Sequence, residues 1–106
     1  MKLTKVVLFE SGHQLPMYQE IHGHSYRATV IVSGNPNSDG VVRNFYEIEN
    51  TVKATFDHKM LNNVLKNPTM ENIAIKIGEL TGAERVTVER PSLGESVEWT
   101  NFGIPT

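Results

Sequence analysis

Three histidines, His13, His22 and His24, crowd into the stretch "ESGHQLPMYQEIHGH", and only one other, His58 in "FDHKML", occurs in the chain. His22 and His24 stand at i and i+2. On a strand, residues two apart point the same way, so both rings can converge on one ion. His13 comes from the preceding segment and can fold back as a third ligand. Three neutral imidazoles suit zinc, with bonds of ~2.0–2.1 Å, and three protein ligands leave one position open for water or substrate. An open position marks a catalytic site rather than a structural one. The plainer alternative is that these are surface or core histidines with no metal, and an H-x-H pair alone does not exclude it. The nearness of His13 and the apolar parity of the pair bring the two readings level. The chain has no cysteine, which excludes disulfides, thiolate ligands and a cysteine nucleophile.

The elements that must position these rings are readable from periodicity. "KLTKVVLFE" is rich in β-branched and apolar residues and predicts a strand. "SGHQLPMYQEI", with Gly12 and Pro16, reads as a connection. From His22 to Ser33 the pattern alternates: His22, His24, Tyr26, Ala28, Val30 and Val32 share one parity, while Ser25, Arg27, Thr29 and Ser33 share the other, with Ile31 as the exception. "GNPNSDG" is a turn cluster. Asn44 can cap a helix, with Glu47 three residues on as in a capping box, and Phe45, Ile48, Val52 and Phe56 then share a face. "DHKMLNNVLKNP" breaks that pattern. Thr69 can cap a second helix, whose stripe is Met70, Ile73, Ala74, Ile77 and Leu80, with Gly82 suited to the left-handed residue after its end. "ERVTVER" and "ESVEWTNF" alternate as strands around "PSLG". The order β-β-α-α-β-β predicts an α+β domain: an antiparallel sheet with two helices on one face.

Length and composition narrow the class. A chain of 106 residues predicts a single domain, 1–106, with much surface per residue, so association with further copies is expected. The formal charge of −2 offers no basic field for nucleic acid. No apolar run approaches the ~20 residues that span a bilayer. "MKLTKVVLFES" has too short an apolar core for a signal peptide, so a cytoplasmic location is the expectation.

Five segments, "LFESGHQLP", "EIHGHSYRATVIVSG", "DGVVRNFYEIENTVKATFDHKMLNN", "NPTMENIA" and "VTVERP", resemble in order the 6-pyruvoyltetrahydropterin synthase / 6-carboxytetrahydropterin synthase family. The resemblance covers most of the chain. It implies a T-fold: a four-stranded antiparallel sheet with two helices on one side, assembled as trimers that usually pair into hexamers. It implies that His13, His22 and His24 hold zinc. It matches Asp57 and His58 to the family's Asp–His pair, a proton relay in which the carboxylate sets the imidazole's tautomer. Thr69 and Glu71 match residues that help hold the pterin. Glu89 matches the glutamate that anchors its guanidine-like edge, where two oxygens accept parallel N–H groups. Each also has an ordinary reading: Glu71 favours a helix dipole, Asp57 ends a helix, and Glu89 is a solvated strand residue.

One part of the family pattern is missing. Its common motif is C-x-x-x-H-G-H, with the cysteine as base, and here that position holds Tyr18. Some relatives use a nearby glutamate instead. The only carboxylate in the segment before H-G-H is Glu20, displaced by two residues from the cysteine's register. A phenol is a poor base at neutral pH, whereas a carboxylate is ionised and can take a proton. The expected function is a zinc lyase making 6-carboxytetrahydropterin from 7,8-dihydroneopterin triphosphate for 7-deazaguanines such as queuosine; the alternatives are a side-chain-cleaving relative giving a 6-hydroxymethyl pterin for folate, and a non-catalytic module that binds metal and pterin.

Overall fold

The computed structural model describes residues 1–101; Phe102, expected at the end of the last strand, lies outside the described residues. Strands β1 (Lys2–Leu15) and β2 (Tyr18–Ser33) form a long antiparallel hairpin. Helix α1 (Phe45–Phe56), the two-residue strand β3 (Lys59–Met60) and helix α2 (Met70–Thr81) follow. Strands β4 (Arg85–Arg90) and β5 (Glu95–Thr100) end the described chain. The sheet order is β3-β1-β2-β4-β5.

The α+β class holds, but among the described residues the sheet has five strands rather than four. The added strand, β3, pairs parallel with β1 at Ser11 and Gly12. Two residues of backbone carry no periodicity, so only a tertiary contact can define such a strand. The segment expected to connect the first two strands is itself strand, and only Pro16 and Met17 lie between them. Gly12 does not break β1 because it pairs directly with Gly23 across the hairpin. His13 therefore sits in a strand, opposite His22.

The core forms where alternation meets helical periodicity. Val7, Phe9, Tyr26, Ala28, Val30, Val32, Val86 and Val88 line one sheet face, against Ile48, Val52, Phe56, Ile73, Ala74 and Ile77 of the helices. Both helices carry the expected caps. Asn44 accepts from the Tyr46 N–H at 2.9 Å, and Thr69 accepts from the Asn72 N–H at 3.2 Å. Gly82 ends α2 at φ +67°, a conformation glycine adopts without steric cost. Phe45 and Leu80, expected on the buried stripes, are 46% and 40% exposed. Phe45 is the first residue of its helix, where the stripe has not yet reached the sheet. In α2 the 3.6-residue period carries the stripe to Thr81, which is buried and donates to Ile77 O at 2.7 Å. Gly78 faces Trp99 of β5, and a methyl built there would overlap the ring.

Candidate metal centre

Beyond the core, β1 and β2 continue past the helices, and the residues on the covered face change type. Tyr26 gives way to His24 and His22, and Phe9 to Ser11 and His13. The site end of β1 is held by the chain between the helices. Ser11 Oγ donates to Phe56 O. Asn62 clamps Gln14 through two 2.8 Å bonds, one to its N–H and one to its carbonyl. Pro68, next to the cap of α2, offers its carbonyl to His13.

These contacts settle which ring nitrogens are free. His13 Nδ1 lies 2.9 Å from Pro68 O, and His22 Nδ1 lies 2.9 Å from Glu20 O. A carbonyl only accepts, so both Nδ1 atoms carry hydrogen. In the neutral rings both Nε2 atoms then carry lone pairs, and they lie 3.0 Å apart. Two lone pairs at that distance repel unless a cation stands between them. His13 has no exposed surface, and burial, more than the neighbouring His22 and Arg90 charges, holds its pKa below the usual value. His24 is pushed down to about 4 by burial and then by Arg90. Both therefore stay neutral, as metal ligands must.

The donor set fits an ion. One nitrogen from each of His13, His22 and His24 lies within 4.8 Å of the others. Tetrahedral coordination with ~2.1 Å bonds would set nitrogens about 3.4 Å apart, so small ring movements suffice. The backbone carbonyls on Nδ1 supply the orienting outer contacts that such ligands usually have.

The other candidate residues fall in four places. Asp57 and His58 are pinned to the edge of β1 at Glu10. The Glu10 N–H donates to Asp57 Oδ1 at 2.9 Å, and the His58 N–H donates to Glu10 O at 2.7 Å. His58 takes φ +54°, uncommon outside glycine, and this turn brings the chain onto β1. Asp57 Oδ2 lies 3.0 Å from His58 Nδ1, which leaves Nε2 of an exposed ring facing solvent. The Glu10 N–H, more than His58, holds the Asp57 carboxyl below its usual range. A depression of about 440 Å³ runs between His58 and His24, past Ser25 and Lys59. Glu20 is exposed beside His22: its carboxylate is 3.4 Å from Tyr18 Oη, and the Tyr18 and His22 rings meet edge to face at 4.9 Å. Strand β2 does extend back through Glu20, as its shared parity with the histidines required.

Glu89 is not brought to the histidines within one chain. It pairs in register with Arg27 on the opposite sheet face, and Arg27 Nε and Nη2 contact its Oε2 at 2.7 and 2.5 Å. Thr69 is spent on capping α2, and Glu71 is exposed in the first helical turn.

Residues 2–97 match the family described as 6-pyruvoyl tetrahydropterin synthase. The chain belongs to that family. A Pyrococcus furiosus protein named dihydroneopterin monophosphate aldolase is 34% identical over 106 residues, covering 91% of this chain and 88% of that one. An Archaeoglobus fulgidus protein named "Putative 6-carboxy-5,6,7,8-tetrahydropterin synthase" is 31% identical over 94 residues, covering 83% and 82%. In fold, the chain is similar to the Caenorhabditis elegans 6-pyruvoyl tetrahydropterin synthase, with TM-score 0.70, 19% identity and 95% of each chain covered. It is also similar to a Plasmodium vivax 6-pyruvoyltetrahydropterin synthase carrying a catalytic glutamate changed to alanine, with TM-score 0.58, 18% identity and 94% and 99% covered. The recognised family thus agrees with the resemblance carried by the H-G-H, D-H-K-x-L-N and N-P-T-x-E-N segments.

Sequence reasoning missed one residue of this family member's site. Arg90 Nη1 lies 3.3 Å from His24 Nε2. Its parity was the available signal: Val86, Val88 and Arg90 share the covered face of β4, so an arginine follows two buried valines into the site.

Proposed function

We propose that this protein is a zinc-dependent lyase that cleaves the side chain of a 7,8-dihydroneopterin phosphate, giving a 6-hydroxymethyl dihydropterin. The observation that carries the metalloenzyme reading is the pair of facing Nε2 lone pairs 3.0 Å apart, with His24 closing the triad. Zinc held by His13, His22 and His24 would act as a Lewis acid toward side-chain oxygens of the pterin. The chain's own residues do the rest. Glu20, the carboxylate beside His22, removes the proton of the side chain's second hydroxyl as the adjoining carbon–carbon bond breaks and an aldehyde forms. The released electron pair passes into the conjugated ring and returns to the first side-chain carbon, where a proton is added. Asp57 fixes His58 with its Nε2 free, suited to carrying that proton. Thr69 and Glu71 at the start of α2 hold the pterin's margin, and Glu89 anchors its guanidine-like edge.

Cleavage is preferred to 6-carboxytetrahydropterin formation because the thiolate position holds Tyr18 and the nearest base is a carboxylate. The relative named an aldolase also spans more of this chain than the one named a 6-carboxytetrahydropterin synthase. That second product, with its role in queuosine-type biosynthesis, remains the competing reading because of the latter relative. A non-catalytic module is disfavoured, since it has no use for the Asp57–His58 pair beside a metal triad.

The working unit is a homo-oligomer, trimer or hexamer. Glu89 lies on the sheet face opposite the histidines, so it can serve a site only beside another subunit. Val6 and Leu8 on that same face are 45% and 61% exposed, as a surface awaiting a partner would be. Incubating zinc-loaded protein with dihydroneopterin monophosphate and triphosphate, with products identified by mass, tests the chemistry. A 6-hydroxymethyl product supports it; a carboxylated pterin, or no turnover, rejects it. Sedimentation as monomer alone at micromolar concentration rejects the assembly.

A further inference from the structure

Arg90 is an inward-facing arginine at the end of β4. Burying a guanidinium costs several kcal/mol unless charges and hydrogen bonds compensate it. Its side chain is 17% exposed and has three polar neighbours. Nη1 lies 3.3 Å from His24 Nε2. A guanidinium only donates, so His24 must present its Nε2 lone pair to it. Nε lies 2.9 Å from Glu95 Oε1, but its N–H is not aimed at the carboxylate and forms no aligned hydrogen bond there. The third neighbour is Tyr26 Oη: burial pushes its pKa up to about 12, and the adjacent guanidinium pulls the other way. That hydroxyl is buried and lacks an aligned partner among the described residues.

Two features follow from this arrangement. The lone pair that a metal ion needs from His24 is already engaged by a cation. One lone pair cannot serve a guanidinium and a divalent ion at once. The guanidinium also has somewhere to go: a carboxylate already in charge contact but poorly aligned, and a buried hydroxyl with nothing to bond. Neither seat requires Arg90 to leave the covered face.

We propose that Arg90 is a latch on the histidine triad, holding His24 Nε2 in the metal-free protein and shifting onto Glu95 and Tyr26 when a divalent ion takes the third ligand. This rests on the reading of the triad as a metal site. The latch protects a buried lone pair that would otherwise lack a donor, and it sets the metal's apparent affinity. Ions bind only the unlatched fraction, so the apparent Kd exceeds the intrinsic one by the inverse of that fraction. Glu95 is the residue that favours release.

Zinc affinity, measured by competition with a chromophoric chelator, tests this without reference to activity. Arg90→Leu should tighten zinc binding by about tenfold or more, the scale of one charge-assisted hydrogen bond. Arg90→Gln should move the same way and serves if the leucine variant does not fold. Glu95→Gln should weaken binding several-fold, because Arg90 then stays on His24. The double variant Arg90→Leu/Glu95→Gln decides between a latch and simple charge. With a latch, the Glu95 change alters affinity by less than about twofold once Arg90 is gone, as one exposed charge does. If the two effects instead add, so that the double variant binds zinc several-fold more weakly than Arg90→Leu alone, the latch is wrong. Wild-type zinc binding with unchanged or weaker binding by the Arg90 variants overturns the latch alone. No zinc binding by any of these proteins overturns the latch and the metal site together.

Discussion

The two halves of the β1–β2 hairpin follow one alternation rule and serve opposite ends. Near the start of the chain, the covered face carries Val7, Phe9, Ala28, Val30 and Val32, sealed by α1 and α2. At the far end the same parities carry His13, His22 and His24, and the chain between the helices takes over as the cover: the Pro68 carbonyl and the Asn62 side-chain amide do what Ile73 and Ile77 do for the core. Dispersion and burial hold the first half, and satisfied polar groups hold the second. A side chain in the first half can be removed only at a cost in stability. In the second half, His22 keeps some exposure, so its loss should be felt in chemistry rather than in folding.

The sharpest way to break that contrast is His22→Ala. It should abolish most metal binding and all activity, while the urea midpoint of the metal-free protein shifts by no more than about 0.5 kcal/mol equivalent. Full metal occupancy in this variant would sink the triad. Glu20→Gln should come next, slowing turnover about 10²-fold, the usual range for loss of a general base, with zinc and pterin binding retained. Near wild-type turnover would remove Glu20 from the reaction. Tyr18→Phe, two residues along the same strand, should change the rate much less.

The core half gives the reverse pattern. Gly78→Ala places a methyl against the Trp99 ring and should destabilise the fold by about 1–3 kcal/mol, as overpacking does. Its zinc affinity per folded molecule should not change; a change would mean the two halves are coupled through α2 and β5. The smallest effect is in pH. His24, pushed down to about 4, and His13, also lowered, bind protons less readily folded than unfolded. The unfolded chain therefore gains protons first as pH falls from about 6.5, and the stability these neutral rings confer above that pH is lost progressively toward 4. Denaturant midpoints of the metal-free protein at pH 7 and pH 5 should show a decline, diminished in His24→Asn. A flat or rising midpoint would contradict the burial of neutral imidazoles.

What the amino-acid sequence determined by itself is whatever depends on neighbours along the chain. Alternation placed His22 and His24 on one face, the 3.6-residue repeat defined both helices, and Asn44, Thr69 and Gly82 marked their ends, because each of these is a local steric or hydrogen-bonding choice. The H-G-H, D-H-K-x-L-N and N-P-T-x-E-N segments were legible for the same reason: each is short and contiguous. Tertiary structure decided the rest. Gly12 and Pro16 looked like a connection, yet β1 runs to Leu15 because β2 supplies partners for its backbone groups. Strand β3 exists only because His58 turns onto Glu10. The free nitrogens of His13 and His22 were set by carbonyls, one of them 55 residues away at Pro68. Glu89 went to the face opposite the histidines, and Arg90 came to His24 from the neighbouring strand. Periodicity says which way a side chain points, but pairing between distant segments determines what it meets.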